Sequence, residues 1–268
     1  MEDISGDPRT HSNLLIFEIG NSHVSVATAV AGSVRTNQRF NLDQLDAIAA
    51  HSEEAWAALP PDHLKALAAA GVVPTVMDRL SERIESLFNE TLHIVGDDLH
   101  RPMSLAVEAP EKVGIDRVCA AAAAYEGVGG ACAIASFGTA ITVDCVNEQG
   151  VFLGGAILPG LALQARALHE GTAVLPEVQI EPTGLVFGTT TQEAICNGIL
   201  FGAAGALREI VERYATHLGG WPALIATGGN AELISRECDF IDRVVPDLCI
   251  RGIALAYRKH FAPLPDSW

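Results

Sequence analysis

The chain has 268 residues, enough for two compact domains at roughly 150 residues each, and its 17 basic against 33 acidic side chains leave a formal net charge of −16. Lys65, Lys112 and Lys259 are the only lysines, which argues against a nucleic-acid or anionic-membrane surface as the working partner. Hydrophobic residues at 49% against charged residues at 19% exclude a disordered chain.

Residues 1–13 are polar and acidic and read as a flexible tail, not a secretory signal. Leu14–Glu18 is an apolar run, Gly20-Asn21-Ser22 breaks it, and Val24–Val30 resumes it with β-branched residues, which predicts strand, tight turn, strand. Between Leu42 and Ala70 apolar residues recur at helical spacing around Pro60-Pro61, predicting two helices. Gly71-Val72-Val73-Pro74 reads as a buried strand leading to a helix over Met77–Phe88, and Leu92–Val95 as a further strand. Residues 97–113 are irregular, with Pro102 and Pro110, and place a boundary between a lobe at 14–113 and a second at 114–268.

The second half opens on the alanine-rich Arg117–Tyr125, a helix by propensity. Ala131–Ala135 and Ile141–Val146 read as strands around the turn Phe137-Gly138-Thr139. After Gly154–Gly160 come a helix at Leu161–His169, a loop at 176–188, and a long helix at Thr191–Tyr214. Leu224–Thr227 is a strand entering Gly228-Gly229-Asn230. The last helix follows Asp247 as N-cap and, from about 247, can pack back on the first lobe. No stretch reaches the roughly 18–20 uninterrupted apolar residues of a spanning helix, so no membrane segment is expected and the cytoplasm is the default location. Six separated cysteines with no ligand spacing read as buried free thiols, and no metal site is expected from them or from the histidines.

Ile16-Phe17-Glu18-Ile19-Gly20-Asn21 aligns with Ile134-Ala135-Ser136-Phe137-Gly138-Thr139 at an offset of 118. A duplicated strand-turn-strand unit points to two related α/β lobes around a cleft, where ligands collect. There is neither a P-loop nor a dinucleotide fingerprint. Three glycine turns after strands, at Gly20, Gly138 and Gly228-Gly229, offer bare N–H groups to phosphate oxygens. Asp116, in Gly114-Ile115-Asp116-Arg117, reads either as a helix N-cap or as an acid–base group kept ionised by the helix terminus.

Glu18–Ser22, Gly71–Pro74, Pro110–Arg117, Phe137–Ala140, Gly154–Gly160, Thr191–Ala194 and Ala226–Gly229, in this order and spacing, resemble the type III pantothenate kinases of the acetate and sugar kinase, Hsp70 and actin superfamily. The resemblance implies two ribonuclease H-like lobes of duplicated topology around a central cleft, the actin-like ATPase fold. It also implies ATP-dependent phosphorylation of pantothenate to 4′-phosphopantothenate, the first step towards coenzyme A. Carried over, Glu18, Ile19, Gly20, Asn21, Ser22, His23, Val24 and Ser25 would hold the ATP phosphates, with Thr139, Gly228 and Gly229 near the nucleotide. Val107, Gly114, Ile115, Asp116, Arg117 and Thr191 would contact pantothenate, and Asp116 would accept the hydroxyl proton. The family implies Mg2+ with ATP, a monovalent cation (K+ or NH4+) and a homodimer, whose interface is expected near Arg117–Tyr125.

Three positions depart from the family pattern. Glu18 stands for an Asp, Ser136 for the Asp that ligates the monovalent cation, and Val107 for a Tyr. They motivate one alternative, a non-catalytic nucleotide- or pantothenate-binding relative serving as a regulator or dead subunit.

Overall fold

The computed structural model describes residues 7–262. In chain order these form a 3₁₀ turn (Pro8–His11), β1 (Asn13–Ile19), β2 (His23–Val30), β3 (Ser33–Asn41), α1 (Leu45–Ala58), β4 (Lys65–Gly71), α2 (Pro74–Phe88), β5 (Leu92–Ile94), a 3₁₀ turn (Pro110–Lys112) and α3 (Ile115–Val128). There follow β6 (Cys132–Phe137), β7 (Ala140–Val146), β8 (Phe152–Pro159), α4 (Leu161–Glu170), α5 (Thr191–Leu218), β9 (Ala223–Thr227), α6 (Ala231–Ser235), β10 (Arg243–Val244) and α7 (Leu248–Phe261). The chain divides into two compact units. The first runs to Ser104 and adds Ala109–Ala123 and everything from Asp247; the second holds Leu105–Glu108 and Ala124–Pro246. The division thus falls inside α3 rather than at 113, and α7 belongs to the first unit.

Each unit is built on a five-stranded sheet, ordered β3-β2-β1-β4-β5 in the first and β10-β9-β6-β7-β8 in the second. In both, the leading strand pairs antiparallel with the next strand (β1–β2, β6–β7) and parallel with a later one (β1–β4, β6–β9). The repeat seen at an offset of 118 is therefore a repeat of topology. In the first unit, Leu15, Phe17 and Ile19 alternate onto one face and pack with Ile48 of α1 and Leu80 and Ile84 of α2. The other face of that sheet is covered by α7, which packs on β1, β3 and β4.

In the second unit, α5 lies along β6 and β7. Its buried residues Ile195, Ile199, Leu200, Ala203, Leu207 and Val211 recur at helical spacing. α5 starts with a capping box, Thr190 and Glu193, and stops at Gly219 in the left-handed conformation. At 28 residues it is long and apolar enough to cross a membrane by length and composition, contrary to expectation, and its apolar stripe is spent on the core.

Several other expectations change. Residues 1–6 of the expected tail lie outside the described residues, but the rest is ordered: the Asp7 carboxylate caps Pro8–His11, pairs with Arg9, and Asn13 already opens β1. Lys65–Gly71 is a strand and not a helix, because alanines buried on both faces fit a central position between β1 and β5. Val72 then leaves the sheet, its N–H donating to the Ile19 carbonyl at 3.0 Å. The exposed edge strand β3 and the glycine-bearing β8 carry no clear alternation and were not expected. Asp247 does occupy the N-cap position of α7, but its carboxylate makes no cap; it accepts from Asn37 Nδ2 at 2.6 Å. All six cysteines are free and buried. In the alanine-rich α3, Val118–Ala122 and Ala124 are buried, and Val128 at its end is exposed.

Candidate active site

Glu18 sits one residue before the end of β1, and its neighbours across the sheet are set by register: Ala70 on β4, Ser25 on β2, and Arg39 beyond Ser25 on β3. These four share the face covered by α7. Ser25, its partner in register, and Cys249, in the first turn of α7, stand beside the Glu18 carboxyl. Burial pushes the Glu18 carboxyl above its ordinary range; the Cys249 thiol and Arg39 pull against it, while the charge of Asp116 adds to the rise. Next along the chain, the Gly20 N–H closes the turn on the His23 carbonyl at 2.9 Å, leaving Asn21, Ser22 and His23 exposed at its tip and Val24 and Ser25 buried.

Asp116 is the second residue of α3, inside the first turn and not at the N-cap. Its carboxylate folds back to accept from its own N–H and from that of Arg117. A Cβ at Gly114 would meet Asp116 Oδ1 at 2.5 Å, so only glycine leaves the carboxylate room. Burial raises the Asp116 pKa, and the two N–H groups and the Arg117 charge offset this only in part. The N–H groups of the helix start favour the ionised form, as expected, while burial works against them and the net shift is upward. Glu18 and Asp116 are both buried carboxyls of the first unit, and the charge of Asp116 is one of the causes that raise Glu18.

The second unit brings two of the three glycine turns together. Gly138 N–H closes its turn on the Ala140 carbonyl at 3.0 Å, as Gly20 does in the first unit. Gly228, at φ +92°, lies against the end of β6, where a Cβ would stand 2.7 Å from the Phe137 carbonyl oxygen. Thr139 is exposed at its turn. Register sets Ser136 between Thr142 and Thr227, a row of hydroxyls where the corresponding row in the first unit carries Glu18. Thr142 Oγ1 is buried without a hydrogen-bond partner, and Thr227 Oγ1 donates to the Pro246 carbonyl at 3.2 Å. Val107 packs against Gly154, its Cγ1 3.6 Å from where a Cβ would be.

Thr191, the first residue of α5, lines a mainly apolar groove of about 700 Å³ between α4 and α5 with Leu163, Leu168, Leu175, Ile195 and Ile199. No local pattern in the sequence marks this groove. Nor does one mark Cys249 and Arg39, which reach Glu18 only through α7 and β3.

A family model described as type III pantothenate kinase matches residues 14–213. A type III pantothenate kinase of Dehalococcoides mccartyi is 36% identical over 206 residues, 77% of this chain and 80% of the relative. One of Moorella thermoacetica is 30% identical over 252 residues, 92% of this chain and 99% of the relative. Among solved structures, a Campylobacter jejuni protein described as a Baf family transcriptional activator superposes with a TM-score of 0.61 at 18% identity, covering 91% of this chain and 98% of that one. A glucokinase from an Antarctic psychrotroph gives 0.51 at 15%, covering 92% and 99%. At such identities the structural likenesses speak for the fold alone, that of the actin-like kinases.

Proposed function

The chain belongs to the type III pantothenate kinase family, and from that premise we infer that it transfers the γ-phosphoryl group of ATP to the primary hydroxyl of pantothenate, giving 4′-phosphopantothenate and ADP. The observation that carries the reading is Asp116: the family match spans it, and its carboxylate is buried in the first turn of α3 with the charge of Glu18 close by.

Phosphoryl transfer needs an oriented nucleophile and charge stabilisation more than a strong base. Asp116 accepts the proton of the pantothenate hydroxyl as its oxygen bonds to the γ-phosphorus, and the bond to the β-γ bridging oxygen breaks, with ADP keeping the electron pair. The Gly20-Asn21-Ser22 turn, with Asn21 and Ser22 exposed at its tip and His23, Val24 and Ser25 behind it, suits phosphate oxygens. Thr139, Gly228 and Gly229 serve the nucleotide; Gly114, Ile115, Arg117, Thr191 and Val107 serve pantothenate. The oxygen donors at the end of β1 fit Mg2+, which supplies neutralisation of phosphate charge when it arrives with ATP. A carboxylate-ligated monovalent cation does not fit: Ser136 and its neighbours Thr142 and Thr227 bring neutral hydroxyls only. A cytoplasmic homodimer completes the reading; the exposed Val174, Val186 and Phe187 of the second unit support the dimer.

The test is coupled ADP release by purified protein with ATP and Mg2+, with and without pantothenate. Release that depends on pantothenate is expected. The altered Glu18 and Ser136 favour a second reading, a binding protein without turnover, which nucleotide binding with no ADP release would establish.

A further inference from the structure

In the second unit, residues 171–190 join α4 to α5 with neither helix nor strand. A connection beyond about 15 residues is uncommon in a compact unit and is usually functional. Its end is tied to α5. Glu193 Oε2 accepts from the Thr189 N–H at 2.7 Å, from the Thr189 hydroxyl at 2.7 Å and from the Thr190 N–H at 3.0 Å. A capping box needs only the last of these, with the return bond from the Glu193 N–H to Thr190 Oγ1 at 3.2 Å. The two bonds to Thr189 go further and fix the residue before the cap. Behind it, Gly188 lies on the backbone of α5, where a Cβ would collide with the Ala194 nitrogen. One turn on, Asn197 accepts from the Thr183 hydroxyl and donates to the Leu185 carbonyl. The end of the connection is thus a strap held on one face of α5 by two side chains.

We propose that Glu193 is a positioning residue for the phosphoryl acceptor: by clamping Thr189 and Thr190 it sets the place of Thr191 at the groove between α4 and α5. This rests on the kinase reading above, in which Thr191 contacts pantothenate. The groove is lined mainly by apolar side chains, and the Gln164 amide that also lines it already donates to the Pro159 carbonyl at 2.8 Å. That leaves the Thr191 hydroxyl to donate to a polar group of the acceptor. A hydroxyl selects one orientation of its ligand only where its own backbone is fixed. Thr191 is exposed, so packing does not fix it, and the Glu193 clamp does. The carboxylate suits the task, because in its ionised form it only accepts and can gather several donors. The Thr189 hydroxyl first, then the N–H groups of Thr189 and Thr190, hold its pKa below the ordinary carboxylate range.

The experiment is a cycle of four proteins: wild type, Glu193→Ala, Thr191→Val and the double variant, with Glu193→Gln as conservative rescue. Steady-state constants for ATP and for pantothenate are measured, together with the Kd of pantothenate by calorimetry and the Tm. Thr191→Val is expected to raise KM for pantothenate about 10-fold, the worth of one hydrogen bond. Glu193→Ala should raise it about fivefold, with kcat and KM for ATP moving less than about twofold, as for a loss of binding alone. Glu193→Gln, whose amide oxygen also accepts and also completes a capping box, should recover most of the loss. In the Thr191→Val background there is no hydroxyl left to place, so Glu193→Ala should cost less than about twofold more.

A lower Tm in Glu193→Ala with an unchanged KM for pantothenate would overturn the proposal and leave Glu193 a helix cap only. So would the same loss from Glu193→Ala with and without Thr191→Val, or an unchanged KM for pantothenate in Thr191→Val itself. If Glu193→Ala does not fold, Thr189→Val removes one of the three donors and takes its place, with a smaller rise in the same constant. A wild type that binds pantothenate but releases no ADP overturns the kinase reading alone, and the Kd of pantothenate then decides the cycle. A wild type that binds no pantothenate overturns both.

Discussion

Gly252 of α7 lies against the backbone of Cys119 of α3 with no space for a Cβ between them. Two helices can approach this closely only where one presents a bare Cα. The contact fixes the start of α7, which carries Cys249, relative to the start of α3, which carries Asp116.

Gly252→Ala should therefore damage both stability and nucleotide use. Overpacking of this kind costs about 1–3 kcal/mol, or roughly 2–4 °C in Tm per kcal/mol for a chain of this size class. Thermal unfolding and the KM for ATP check it. A variant with unchanged Tm and an unchanged KM would show that α7 can shift freely and that the contact positions nothing.

Much of the frame around this contact is legible in the sequence, for a physical reason. The β1–turn–β2 unit and its copy at β6–β7 are apolar runs that break at glycine, which are local signals. β4 reads as helix because four of the seven residues of Lys65–Gly71 are alanine, a residue that favours helices in isolation and also suits a strand buried on both faces. Burial decides between the two, and burial is not local. The same holds for the site. Asp116 and the glycine turns can be placed from spacing, whereas Cys249 reaches Glu18 only because α7 returns across the first sheet some 230 residues later. Asp247 teaches the converse: a good local N-cap gives up its capping bond to reach Asn37 on β3.

Asp116→Asn should abolish turnover and raise stability together. A positioned acid–base group contributes at least about a hundredfold in rate. The folded-state pKa of Asp116 lies above its ordinary value of 3.8, so as pH rises the unfolded chain ionises first and the folded state loses relative stability up to its own pKa. Above that pH the deficit persists, and the neutral amide removes it. Tm at pH 7 should be higher in Asp116→Asn than in wild type, with the gain shrinking as pH falls towards 4. Near-full turnover would remove Asp116 from the mechanism; a lower Tm at pH 7 would show that the carboxylate's bonds to the α3 N–H groups outweigh its burial.

The exposed apolar residues of the second unit predict the mode of self-association. Val186 and Phe187 are 76% and 81% exposed on a loop that Asn197 of α5 ties down by accepting from the Thr183 hydroxyl at 2.6 Å and donating to the Leu185 carbonyl at 2.9 Å. A pinned loop presenting bare apolar side chains is suited to a partner surface. Sedimentation should give twice the 28.2 kDa chain mass, and Val186→Asp with Phe187→Asp should return it to the single-chain value. A wild-type monomer at micromolar concentration would refute the dimer, and an unchanged dimer in the double variant would move its interface elsewhere.

The last prediction concerns the row of hydroxyls at the end of β6. Ser136 lies between Thr142 and Thr227 in register, and Thr142 Oγ1 is buried with no hydrogen-bond partner. Hard cations bind where oxygen ligands carry adequate negative charge, and three neutral hydroxyls do not supply it. The wild-type rate should therefore change less than about twofold when potassium replaces sodium or choline at fixed ionic strength. Ser136→Asp supplies the missing carboxylate, and the Thr142 hydroxyl across the strand pair is a free donor that can hold it in place. Potassium dependence should appear in the variant, read as a rise in initial rate with potassium concentration that sodium does not reproduce. A wild type already strongly activated by potassium would show that backbone carbonyls suffice to hold the cation. A Ser136→Asp protein that stays indifferent to potassium while keeping turnover would show that charge at this strand end is not what the cation site lacks.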